Sequence, residues 1–277
     1  MPSYPKNYPF YSWMPKPLGI IILLFFFLPI LTVGGVYSVN STEMMSGLGI
    51  ISEHIQFANF VTSIGMAAFA PFLYQLVCVR REKMMCIVGF AFMYIFSYIC
   101  AKTDSVFLLA LCSLLTGFLR MVLMMVNLFT LIWYAGGMEA TRNITPGLEP
   151  KDTAGWNKLD IERCVSQPAV YLFFMILGQS GTALTAWLSF EYEWKYVYYF
   201  VKKRLDASIL IIFITMPNYK FPGRFPINFR TFGNVTAFCV SLPCLTYVLV
   251  YGKVLDWYDD GSIRWATAVS ILFAGIF

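Results

Sequence analysis

Charge is scarce in this sequence, histidine almost absent, and the short patterns that mark common catalytic and metal sites are missing. Only 13% of the 277 residues are Asp, Glu, Lys or Arg, against roughly 25% in soluble domains. That scarcity excludes a chain whose surface is mostly solvated. His54 is the single histidine, which rules out zinc sites built on several imidazoles. No two of Cys78, Cys86, Cys100, Cys112, Cys164, Cys239 and Cys244 stand at C-x-x-C spacing. Most lie in apolar runs and read as small buried hydrophobes rather than redox or metal ligands. Neither H-x-x-E-H nor G-x-S-x-G occurs, which argues against a membrane-embedded enzyme, since such a site needs convergent acid, base or nucleophile groups. The net charge of +5 is small, and no basic stripe interleaved with aromatics suggests nucleic acid. No cofactor is expected.

What the sequence has instead is apolar length. Hydrophobic residues make up 58% of it and the mean hydropathy is +0.66. A membrane-crossing helix needs roughly 20 apolar residues. Eight runs approach or exceed that: 18–38, 57–78, 84–101, 106–133, 168–189, 197–216, 231–251 and 262–277. The first is longer than the roughly 7–15 apolar residues of a signal peptide and has no A-x-A exit, so it reads as a membrane helix. The last reaches the chain end without a polar flank, and the expectation is that the sequence is the N-terminal part of a longer protein. The expected class is an all-α, multi-pass membrane protein.

Basic residues set an expected orientation. With the N-terminus inside, the inner segments hold Lys6, Lys16, Arg80, Arg81, Lys83, Arg142, Lys151, Lys158, Arg163, Lys220, Arg224 and Arg230. The outer segments hold Lys102, Lys195, Lys202, Lys203, Arg204, Lys253 and Arg264. Twelve against seven favours a cytoplasmic N-terminus, with the basic loops facing anionic lipid. The hydrophilic stretch 134–167 then reads as a cytoplasmic loop. The proline-bearing stretch 218–230, with Pro222 and Pro226, reads as a cytoplasmic linker. It divides a six-span unit, 1–217, from two further spans in 231–277.

Arg120 lies near the centre of 106–133. An arginine at mid-bilayer costs about 2.5–3.5 kcal/mol or more, so it is expected to face protein or water and to mark a solute pathway. Candidate partners are Asn127 on the same helix and Asn59 or Gln179 on others. The alternative is a purely structural arginine held by carbonyls. Glu43 in the first outer loop, and Glu53 with His54 at the head of the second span, are candidate protonation sites; helix capping is the competing role. Lys202, Lys203, Arg204 and Asp206 fall inside the start of the sixth run. Snorkelling to the interface is one explanation, and cavity lining by Arg204 or Asp206 the other.

A six-span block ending at a basic linker resembles the half-unit of the major facilitator superfamily. The loop after the second span runs Pro71-Phe72-Leu73-Tyr74-Gln75 to Arg80-Arg81-Glu82-Lys83. It resembles that superfamily's glycine-x-leucine-x-aspartate loop followed by arginines, keeping Leu73 and the basic end, with Gln75 near the aspartate position. The fifth run carries Gly178-Gln179-Ser180-Gly181-Thr182-Ala183-Leu184-Thr185-Ala186-Trp187. It resembles the antiporter motif of drug-efflux members at Gly178, Gly181, Leu184 and Trp187, and Trp194 with its aromatic neighbours extends the likeness. The two additional spans fit the fourteen-span drug:proton antiporter branch. The resemblance implies a secondary transporter that exports drugs or small solutes, coupled to protons. It also implies a bacterial inner membrane and a periplasmic adaptor protein as a partner. The competing expectation is an inactive or structural membrane fragment.

Overall fold

The structure is a computed structural model, and it describes residues 9–39, 41–49, 51–72, 82–103, 105–136, 176, 180–217 and 229–276. Among the described residues every regular element is helical. The labelled helices are α1 (Lys16–Val39), α2 (Ser41–Leu48), α3 (Ser52–Ala68), α4 (Glu82–Lys102), α5 (Val106–Gly136), α6 (Trp194–Thr215), α7 (Phe229–Tyr251) and α8 (Gly261–Ile276). A further helical stretch covers 180–191.

Among the described residues five segments are long and apolar enough to cross a membrane: Lys16–Val33, Ser52–Phe72, Glu82–Cys100, Ala110–Leu131 and Arg230–Tyr251; much of the fifth expected run, 168–189, lies outside them. They fall on the first, second, third, fourth and seventh of the eight expected runs. The sixth run forms a helix of 22 residues, but its four clustered charges keep it out of that set. Helix α8, with 16 residues, is short of a full span. Exposed Phe107, Phe190, Trp265 and Leu249 stud the outside, a surface compatible with surrounding hydrocarbon.

The stretch expected to be the first outer loop is more ordered than the sequence suggests. It contains α2, and α3 begins at Ser52, five residues before the expected 57. Glu43 and Glu53 each occupy a first turn, where a carboxylate is favoured by the positive end of the helix dipole. At its other end α3 stops at Ala68 and passes into a 3-10 turn, Ala70–Phe72. Pro71, which has no backbone N–H to donate, sits in that turn. The loop and linker assigned to 134–167 and 218–230 lie mostly outside the described residues.

Two close crossings hold the bundle. On α3, a Cβ added at Gly65 would stand 2.2 Å from the Leu114 carbonyl oxygen of α5. On α5, one added at Gly117 would stand 2.1 Å from the Thr62 carbonyl oxygen. The backbones therefore touch, as small residues allow between helices in lipid. The second crossing joins α1 to 180–191. A Cβ at Gly181 would meet the Leu31 Cβ at 2.8 Å, and Thr185 donates its hydroxyl to the Thr32 carbonyl at 3.1 Å.

Helix α4 packs on both α5 and α6, and α1 packs on α5 and α6. Phe26 meets Phe90 edge to face at 5.9 Å within the main core. Helix α7 lies against α3, and α8 lies against α7. Ser241 and Ser270 bond each other's carbonyls across the α7–α8 pair, at 2.9 and 3.0 Å. Near one end of the bundle Lys83 donates to the Met216 carbonyl at 2.6 Å and Tyr11 N–H to the Thr215 carbonyl at 3.2 Å. Helix α2 and the starts of α3 and α6 mark the opposite end.

Candidate functional site

Helix α5 carries a polar face through an apolar helix. Ser113, Thr116, Arg120, Asn127, Thr130 and Tyr134 recur at three, four or seven residues, so they line one side. Ser113, Thr116, Asn127, Thr130 and Tyr134 are buried and Arg120 is half-buried. Some of these groups are satisfied within the helix. Thr130 donates to the Val126 carbonyl at 2.7 Å, and Asn127 donates its amide to the Leu123 carbonyl at 2.8 Å.

Others are not. Thr116 Oγ1, Arg120 Nε and Tyr134 Oη are buried without a hydrogen-bond partner. Among the described residues the Arg120 guanidinium reaches the Met66 thioether of α3, Nη1 to Sδ at 3.7 Å. A thioether is a weak acceptor. Among the described residues no carboxylate pairs with it. Its neighbours explain how it is held: Gly117, one turn away, locks α5 onto α3, so the guanidinium emerges beside a contact that has little room to relax.

The expected partners are elsewhere. Asn127 faces α4, where Cys86 Sγ lies 4.0 Å from its Oδ1. Asn59 is half-buried on α3, and its carbonyl accepts from Ser63 at 3.2 Å. Gln179 lies outside the described residues, as do Gly178, Leu73, Gln75, Arg80 and Arg81. In the fifth run, Gly181 makes the close contact with α1, Leu184 packs on the core, and Trp187 is 56% exposed. Trp194 opens α6.

Glu53 and His54 open α3 next to α7. His54 Nδ1 bonds the Tyr251 hydroxyl, and Ser52 donates to Glu53 at 3.2 Å. Phe57 meets Tyr247 and Tyr251 edge to face, at 5.9 and 5.8 Å. Tyr247 Oη lies 3.3 Å from Ser262 Oγ. The Ser262 hydroxyl and backbone N–H reach Asp260 Oδ1 at 2.5 and 2.6 Å, and these bonds hold the Asp260 carboxyl below the usual carboxylate range. The other acidic candidate, Glu43, lines a cleft of about 420 Å³ with Ser46, Gly47, Ser189, Tyr192, Glu193 and Lys195.

The charges of α6 have aromatic company. Lys202 lies over Tyr94 and Tyr98 of α4, 5.0 Å from each ring centre. Arg204 lies 4.9 Å from the Phe200 ring and 5.8 Å from Phe25. Lys203 and Asp206 are exposed.

Sequence reasoning missed Gly65, Thr116 and Ser189. The signal for Gly65 was the spacing of Ala58, Thr62, Gly65 and Ala68, small residues recurring every three or four positions. No family model matches the chain, and no curated protein matches it.

Proposed function

We propose that this chain belongs to a secondary transporter, moving drugs or small solutes across a membrane through a helical bundle like that of the major facilitator superfamily. Arg120 carries the reading. A permanent cation in a 31-residue apolar helix, half-buried, with Nε unpartnered and no carboxylate paired with it among the described residues, is costly to the fold. A passing solute or its counter-ion supplies the missing acceptor.

The pairing of helices supports the same reading. Number the six runs of the main unit in order. The first crosses the fifth through Leu31 and Gly181, and the fourth crosses the second through Leu114 and Gly65. The third packs on the sixth, the third on the fourth and the first on the sixth. Exchanging each of the first three runs with its counterpart among the last three leaves these pairings unchanged. Transporter folds are commonly built from such repeats, with the solute near the bilayer midplane between them.

His54, hydrogen-bonded to α7 through Tyr251, and its neighbour Glu53 are the groups this reading assigns to proton coupling. A cytoplasmic N-terminus rests on the basic-residue count, and inner-membrane residence and an adaptor partner on the family resemblance alone. The test is accumulation of a panel of fluorescent lipophilic cations and anions in cells expressing the full protein. Expression should lower accumulation of at least one compound, and Arg120→Met should abolish the effect while protein level holds. Accumulation unchanged for every compound, with and without a proton gradient, would overturn the proposal.

A further inference from the structure

The cleft at the α2 end of the bundle is built from three elements that are distant in sequence. Helix α2 contributes Glu43, Ser46 and Gly47, the end of 180–191 contributes Ser189, and the turn into α6 contributes Tyr192, Glu193 and Lys195. Its volume of about 420 Å³ is within the usual range for small-molecule sites, about 300–1,000 Å³.

Two of the residues that line the cleft each carry a polar atom without a partner. Glu43 Oε2 and Ser189 Oγ are buried and make no hydrogen bond, and Ser189 as a whole is 5% exposed. Ser46, by contrast, spends its hydroxyl on the Glu43 carbonyl at 2.9 Å. A buried carboxylate oxygen and a buried hydroxyl left unpaired each cost roughly 1–3 kcal/mol or more. An arriving donor recovers that cost. Both can accept, so the ligand they call for is a hydrogen-bond donor.

Charge narrows the class. The lining holds two carboxylates, Glu43 and Glu193, and one ammonium, Lys195, for a net −1. A divalent metal is a poor fit, because among the described lining residues two are carboxylates and a lysine stands beside them. A protonated amine fits: it carries one positive charge and up to three N–H donors. The rim is aromatic. Tyr192 is 55% exposed and stacks on Tyr196 at 4.5 Å between ring centres, which presents a face for an aromatic or alkyl tail.

We propose that this cleft binds a primary ammonium carrying an aromatic tail, with Glu43 and Ser189 accepting from the ammonium and Tyr192 covering the tail. The site is separate from Arg120, whose positive charge suits the opposite ligand charge. It stands on the cleft's own residues, whether or not the chain transports anything.

The experiment is isothermal titration calorimetry on the full protein in nanodiscs, with 2-phenylethylamine as the probe. Two analogues accompany it: the neutral 2-phenylethanol, and the trimethylated ammonium, which keeps the charge but has no N–H. The expected result is saturable binding of the amine, with both analogues weaker by about tenfold or more, the loss expected for hydrogen bonds to a charged group. Glu43→Gln should weaken the amine by about tenfold and Ser189→Ala by a few-fold. Absence of saturable amine binding, equal binding of the neutral alcohol, or unchanged affinity in folded Glu43→Gln would each overturn the proposal. The ligand series is run on the unmodified protein, so it decides even if a variant fails to fold.

Discussion

Helices α5 and α6 both carry cations within a stretch long enough to cross a bilayer, and they treat them in opposite ways. On α6, Lys202 and Arg204 lie over tyrosine and phenylalanine rings, within about three turns of the helix start at Trp194. An aromatic face offsets part of a cation's desolvation, and a long stem can carry the head toward water. On α5, Arg120 sits mid-helix, beside a glycine-locked crossing, with a thioether as its one hydrogen-bond acceptor among the described residues. The first arrangement explains how a charge is tolerated. The second leaves a polar atom unsatisfied, and unsatisfied buried groups persist where function needs them.

Removing the lock that fixes Arg120 should have the largest effect. Gly117→Leu drives a side chain into the Thr62 carbonyl, and no small rotation clears backbone from backbone. We expect a loss of about 3 kcal/mol or more, read as a collapse of the melting temperature in nanodiscs. Gly233→Leu is the control, since nothing lies within 4 Å of a Cβ there, and it should melt normally. Equal melting of the two variants would remove the rigid wall from the comparison.

A smaller effect belongs to α6. Arg204→Ala gives up contacts with two rings and should cost about 1–2 kcal/mol, with solute movement preserved. Loss of transport in a variant that melts normally would move Arg204 into the same class as Arg120. Smallest of all, exposed Lys203→Ala should change stability by no more than about 0.5 kcal/mol. A larger fall would mean that Lys203 has a structural partner, against the contrast drawn between the helix's exposed and ring-covered cations.

Much of the helical framework was legible because lipid-length apolar runs have few alternative uses. Arg120 was legible for a related reason: a lone charge stands out in such a run. Its surroundings were not. Asn127 lies two turns along the same face, which suggested a partner. The neighbouring helix decides otherwise, since α4 brings Cys86 to Asn127 while α3 brings Met66 to Arg120. The α6 charges were puzzling in sequence because the rings that cover Lys202 come from α4, about a hundred residues earlier. Helix α2 was missed since eight residues give too little periodicity to detect. The amine cleft was invisible for the same reason as the rings: Glu43 and Ser189 meet only in the fold.

The most direct test asks whether Arg120 serves the fold or a solute. The measurement is the melting temperature of Arg120→Met against the unmodified protein, in nanodiscs without added solute. Methionine has similar length and needs no acceptor, so replacing an unpaired buried cation with it removes a cost. If Arg120 is kept for transport, the variant should melt at the same temperature or a few degrees higher, about 2–4 °C per kcal/mol recovered. A fall of several degrees would show that the guanidinium holds the bundle together, and would contradict the account.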